Sequence, residues 1–374
     1  MKYRCWTGTY FWTPQEVVCP NSIQDLKKII LSAKERGLKI RAMGSLHSYN
    51  DICATSDIQV NTDKLNKIVS IDRINMTVRV ESGIKLKALV KALAKEGLSL
   101  PNQGYILKQS VAGATATATH GTGHTGTMSS FIEEIELVDA SGETRILNPK
   151  MSEHLFSAAV VNLGCLGLIY SITLRCIPLE KLEFTKVKST LKETLNELPQ
   201  LLKTYQHFMF AICPYTENTV VARYRKTDQQ IRHRWGFILH RTLLRLIGVI
   251  GLRVPLPRRL FANRFKTYSN LSHNFLCVDE SYRILSPADQ GPFVEEEVII
   301  PVEYLGNAIR EALALIVQYS ENHLIISSLA VRFVGPDRYG YLSPNLHQPV
   351  ACLTYLSLKK DGLRELFKAF ENAM

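Results

Sequence analysis

The eight cysteines, at positions 5, 19, 53, 165, 176, 213, 277 and 352, include no Cys-x-x-Cys pair and no other metal-ligand spacing. That excludes a zinc ribbon and a paired-cysteine redox motif. Scattered through a chain this long, they read as reduced core residues, which favours a cytoplasmic compartment. Long apolar runs are also missing. The most hydrophobic stretch, residues 235–252, is interrupted by His240, Arg241 and Arg245, whereas crossing a bilayer takes about 20 apolar residues in succession. No transmembrane helix is expected, and the opening MKYRCWTGTYFWTP has no apolar stretch of signal-peptide length. Repeats and low-complexity tracts are absent, as are G-x-G-x-x-G and the Walker pattern, so the two common nucleotide folds are not supported. Acidic residues are missing altogether from Gln229 to Val278, where eight arginines and Lys266 stand among aromatic and apolar residues. That stretch reads as a solvated basic face or, alternatively, as a peripheral membrane or nucleic-acid contact, the solvated face being favoured.

What remains is the profile of a globular protein. With 374 residues, 46% hydrophobic and 21% charged, the chain is too long for one ordinary core, and two domains are expected. A net charge of +11 favours an anionic partner without choosing one. In the first half, helix and strand signals alternate. Ser22 to Asp25 opens a helix that Gly37 ends, and 38–43 alternates as a strand. Residues 67–82 read as two strands around a turn. Leu86, Leu89, Val90 and Leu93 form one helical stripe closed by Gly97. Glu134–Val138 and Thr144–Leu147 bracket a hairpin turn, and 168–177 is a long apolar strand ended by Pro178. Beyond Pro178 glycine becomes sparse, strands lengthen, and a helix is expected over 302–319. The domains are accordingly placed at 1–178 and 179–374.

Two segments stand out chemically. Arg41-Ala-Met-Gly-Ser-Leu-His-Ser-Tyr-Asn-Asp51 follows a strand and reads either as a tight turn or as a loop aiming backbone N–H groups at a pyrophosphate. Ser110 to Gly126 is built almost wholly from Gly, Ala, Ser, Thr and His. It reads either as a linker or as a small-residue wall packed on a flat ligand, lined with hydroxyl and amide donors. His120 and His124 could also suggest a metal pair, but no carboxylate or cysteine stands nearby in sequence.

Together with Asn162-Leu-Gly-Cys-Leu-Gly-Leu-Ile169, these segments resemble, in this order, the FAD-binding domain of the vanillyl-alcohol-oxidase (PCMH) type. Within that group the chain is most similar to the sugar-1,4-lactone oxidases and the alditol oxidases. The resemblance implies an α+β fold, with a two-subdomain FAD-binding domain followed by an α+β cap domain. It places Arg41, Met43, Gly44, Ser45, Leu46, His47 and Ser48 at the pyrophosphate loop, with His47 the residue for a covalent flavin bond or else a turn cap. Ser110, Gly113, Ala114, Thr117, Thr119, His120, Gly121 and Gly123 fall at flavin and ribityl contacts. Gly164, Gly167 and Ile169 fall on the adenine side. Ala118 stands where the family commonly has glycine, which adds a methyl in a tight place. Gly104 matches a position where glycine resembles the oxidases that use molecular oxygen.

In the second half, Val331-Arg-Phe333 and Tyr341-Leu-Ser-Pro344 resemble the family's E-x-R-F…L-S-P segment. Arg332 is thereby the catalytic candidate, stabilising reduced, anionic flavin and orienting the substrate oxygen. Ser343 and Thr354 are candidate hydroxyl contacts to a polyol, or ordinary strand residues. The family's glutamate is Ala330 here, and the sequence stops at Met374 before the expected His-Trp-x-Lys motif. The implied reaction oxidises a hydroxyl of a sugar lactone or polyol by hydride transfer to FAD, with oxygen as acceptor and no nucleic-acid partner. The other reading is a flavin-binding protein with impaired or altered catalysis.

Overall fold

The computed structural model describes residues 2–232, 275–286, 294–320, 326–357 and 363–373. Within these the chain forms two compact units. The first comprises Met1–Gly121, Thr125–Leu179 and Pro336–His347, and the second Thr122–His124, Glu180–Gly335 and Gln348–Met374. The acid-free stretch from Gln229 to Val278 lies largely outside the described residues. No helix among the described residues is long and apolar enough to cross a membrane.

The first unit opens with a short antiparallel ribbon, β1 (Tyr3–Arg4) against β2 (Phe11–Trp12). Next come β3 (Glu16–Val18), α1 (Ile23–Glu35), β4 (Ile40–Met43) and β5 (Ile58–Asn61), with β5 between β3 and β4 and parallel to both. The Ser22 side chain accepts the Asp25 N–H and so caps α1, as its sequence indicated. Leu26, Ile30 and Ala33 on its buried face pack with Ile58, Val60 and Leu65.

The rest of this unit is β6 (Ile68–Asp72), β7 (Thr77–Glu81), α2 (Leu86–Lys95), β8 (Leu98–Ser99), α3 (Val111–Ala116), β9 (Ile132–Val138), β10 (Thr144–Leu147), α4 (Glu153–Val160), β11 (Leu168–Arg175) and β12 (Ile177–Pro178). Five of these strands form an antiparallel sheet in the order β10-β9-β11-β7-β6. The run expected as one strand over 168–177 divides at buried Cys176, after which β12 turns to pair with β8. The Ala-Thr alternation after Ser110 does not make a strand. It begins as the six-residue helix α3.

In the second unit are β13 (Lys181–Thr190), α5 (Leu191–Thr204), β14 (His207–Ile212), β15 (Asn218–Lys226), β16 (Phe275–Glu280), α6 (Ser281–Ile284), β17 (Val294–Pro301), α7 (Leu305–Ser320), β18 (Ile326–Val334), β19 (Val350–Ser357) and α8 (Leu363–Ala373). Its described strands make one antiparallel sheet, β16-β13-β15-β14-β18-β19-β17. Strand alternation sorts the side chains onto two faces. Phe208, Phe210, Val331, Phe333, Leu353 and Tyr355 pack with Leu198, Leu201, Ile309, Ile316, Leu366 and Phe370 of α5, α7 and α8. The opposite face carries Met209, Ala211, Ala330, Arg332, Cys352, Thr354 and Glu297, which are partners in register.

Candidate functional site

The 41–48 loop leaves β4 inside the first unit, and its residues bind two distant segments. Arg41 Nη1 donates to the carbonyls of Leu163 at 3.1 Å and Gly164 at 3.5 Å, so the first and third motifs are tied together. Met43 is buried. A Cβ on Gly44 would overlap the Ser110 hydroxyl, and one on Gly113 would come within 2.9 Å of that same oxygen. The Ser110 side chain is thus wedged between two glycines from separate motifs. Ser45 Oγ donates to Lys108 O at 2.6 Å and accepts from Lys85 Nζ at 2.8 Å, while Lys85 also pairs with Asp63 at 2.7 Å. Leu46 has φ 57°, a left-handed conformation uncommon for a branched residue. The His47 ring lies 5.5 Å from that of Trp6, and Ser48 is half-buried.

An open cleft of about 450 Å³ is lined by Met43, Gly44, Ser45, Leu46 and His47, together with Asp63, Lys85 and Lys108. Among the described residues no protein acceptor takes the N–H of Gly44, Ser45 or Leu46. Successive amides around a left-handed residue, beside Lys108 and a Lys85 whose charge is shared with Asp63 of the same cleft, form a donor set suited to a phosphate anion. These residues fit the pyrophosphate of FAD.

The second motif continues from this wedge. Ala114 is fully buried whereas Gly113 on α3 and Thr117 at its C-cap are exposed, and Thr117 Oγ1 donates to Gly113 O at 3.0 Å. A Cβ on Gly104 would come within 2.8 Å of Thr119 Cγ2, and one on Gly121 would overlap Gln103 O. The 102–104 and 119–121 backbones therefore lie in close contact, with Gln109 Nε2 donating to Thr119 Oγ1 at 3.2 Å. His120 Nδ1 lies 2.9 Å from Gly121 O, and neither it nor His124 sits on a helix.

Gly123 belongs elsewhere. Its N–H donates to Phe333 O at 2.7 Å within the second unit, and a Cβ would come within 2.6 Å of His207 Nδ1. In the third motif, Gly164 and Gly167 both have positive φ, and a Cβ on Gly167 would overlap Val138 O. Ile169 pairs with Leu137 in the five-stranded sheet.

In the second unit, Arg332 Nη2 donates to Glu297 Oε2 and, at 3.1 Å, meets Thr354 Oγ1. Thr354 Oγ1 also donates to Glu297 Oε2 at 2.7 Å. With alanine at position 330, the carboxylate that pairs with Arg332 comes from β17. Sequence reading missed Glu297 because Glu295, Glu296 and Glu297 run consecutively, and only the strand register separates inward from outward residues. Ser343 is not on a strand, and its hydroxyl is taken up by protein partners. It donates to Asp337 Oδ2 at 2.6 Å, the carboxylate that also takes the Thr127 hydroxyl at 2.6 Å and, through Oδ1, the Thr127 N–H at 2.8 Å. Asp337 was likewise missed, since its partner is 210 positions away in the chain.

Comparison with known proteins adds the family context. The FAD binding domain family matches residues 14–148, and the D-arabinono-1,4-lactone oxidase family matches residues 172–374. L-gulono-1,4-lactone dehydrogenase of Mycobacterium tuberculosis is 33% identical over 341 residues, covering 89% of this chain and 77% of that protein. L-gulonolactone oxidase of Mus musculus is 30% identical, covering 75% of this chain and 66% of that protein. Cholesterol oxidase from Brevibacterium sterolicum superposes with a TM-score of 0.78 at 16% identity, covering 100% of this chain and 82% of that one; the likeness is one of fold.

Proposed function

This chain belongs to the D-arabinono-1,4-lactone oxidase family of PCMH-type FAD-binding oxidoreductases, and from that premise we propose that it oxidises a hydroxyl of a sugar lactone or alditol, with oxygen as electron acceptor and hydrogen peroxide as second product. In keeping with the family, the architecture is an FAD-binding domain followed by a mixed α+β cap domain. We divide the chain at 1–178 and 179–374.

FAD, when bound, supplies the hydride acceptor. Gly44 to Ser48 would hold its pyrophosphate through backbone N–H groups, with Lys85 and Lys108 offsetting the phosphate charge. Ser110, Gly113, Ala114, Thr117, Thr119, His120 and Gly121 would line the flavin and ribityl chain. The match of Gly104 to the glycine of the oxidases supports oxygen as the acceptor. Arg41 shapes the 163–167 turn, placing Gly164, Gly167 and Ile169 for the adenine side. His47 would carry the covalent bond. Arg332 supplies a fixed positive charge where negative charge develops and orients the substrate oxygen.

The observation that most supports this reading is the Ser110 hydroxyl between Gly44 and Gly113, which joins the first two motifs into one wall beside free amide donors. The test begins with colour. Purified protein should be yellow, and acid precipitation should leave flavin with the pellet in the wild type but release it from His47→Ala. Peroxide should appear with L-gulono-1,4-lactone, D-arabinono-1,4-lactone or an alditol. Protein that stays colourless after FAD addition overturns the proposal. Yellow protein that reduces an artificial acceptor without making peroxide overturns only the choice of oxygen.

A further inference from the structure

Arg332 and Glu297 lie on the sheet face opposite the helix-covered core, and their side chains are only 13% and 20% exposed. A cation this buried needs a partner and a fixed geometry, because desolvation penalises an unpaired charge heavily. The strand preceding Arg332 offers none, since the same-face neighbour two positions earlier is Ala330. Register shows where the acid comes from. Ala330 pairs with Thr354 on β19, and Thr354 pairs with Glu297 on β17. Glu297, Thr354 and Ala330 therefore form one row across three strands, with the small Ala330 and the hydroxyl of Thr354 leaving room for the longer carboxylate to reach the guanidinium. One carboxylate oxygen takes both Arg332 Nη2 and Thr354 Oγ1, an arrangement that limits the guanidinium's freedom to turn.

We infer that Glu297 is the positioning residue for Arg332, holding the guanidinium from β17 in place of an acid at position 330. This rests on the reading of Arg332 given above. The midpoint potential of the bound flavin tests it, since that quantity requires no turnover. If Glu297 merely neutralises charge, its removal leaves more net positive charge and raises the potential. If Glu297 orients Arg332, its removal lets the guanidinium swing away and lowers it.

Glu297→Ala should lower the midpoint by at least about 30 mV, a tenfold change in the two-electron equilibrium. Glu297→Gln, which keeps the hydrogen-bonding shape, should fall between Glu297→Ala and wild type. Moving the acid, in Glu297→Ala/Ala330→Glu, should restore most of the loss. Each variant is read on protein with wild-type flavin content, and Glu297→Gln serves if Glu297→Ala does not fold. An unchanged or raised potential in Glu297→Gln, or no restoration by Ala330→Glu, overturns the inference while leaving the role of Arg332 intact. An unchanged potential in Arg332→Met removes that role and the inference with it.

Discussion

At the scale of single residues, backbone conformation decides most. Ala118 holds φ 52° and is buried, where a left-handed conformation costs an L-residue about 1–2 kcal/mol. Glycine removes that cost but gives back about 0.5–1 kcal/mol in the entropy of the unfolded chain. Ala118→Gly is therefore expected to raise stability by about 0.5–1 kcal/mol, seen as a higher denaturant midpoint at unchanged slope. A lower midpoint would show that the alanine methyl contributes more packing than strain. The family resemblance marked this position for the tight fit of an added methyl; the backbone adds a left-handed conformation that glycine adopts without strain. Arg41, Gly44 and Ser110 were legible as motif members, yet their mutual contacts were not, because a motif names residues without naming which of them touch.

Elements were easier to read where a local pattern sufficed. The Ser22 cap, the α2 stripe and the hairpin of β9 and β10 all follow from neighbours in sequence. Features set by partners far along the chain escaped. His207 is one, at the start of β14, 2% exposed, with Nδ1 2.6 Å from Thr122 O. A carbonyl can only accept, so Nδ1 bears the proton. Burial disfavours the charged ring and lowers its pKa, and the Thr122 carbonyl offsets part of that. The unfolded chain takes up a proton near pH 6.5 while the folded ring resists it. Stability from this group is thus complete above about pH 6.5 and declines as pH falls below it. A melting temperature lower at pH 5.5 than at pH 7.5, with a weaker dependence in His207→Gln, is the expected result. Equal slopes in the two proteins would assign the acid sensitivity to other groups.

For the molecule as a whole, length implied two domains and the change of texture after Pro178 suggested where they meet. Each compact unit is built from separate segments, with 122–124 and 336–347 each crossing to the other unit, and no local periodicity announces such excursions. A bound dinucleotide acts at this scale too. His47→Ala protein stripped of flavin should gain about 2.7 kcal/mol when FAD is present at 100 times its dissociation constant. For a unit of this size that is a calorimetric rise of roughly 5–10 °C. No rise at saturating FAD would contradict the assignment of the 44–48 loop. The anchoring of Thr127 by Asp337 has a further consequence for biosynthesis. At roughly 5–20 residues per second on the ribosome, the interval between emergence of Leu179 and of Pro336 is on the order of ten seconds. Throughout that interval the nascent amino-terminal half lacks its buried aspartate, so it matures only after most of the polypeptide has been translated.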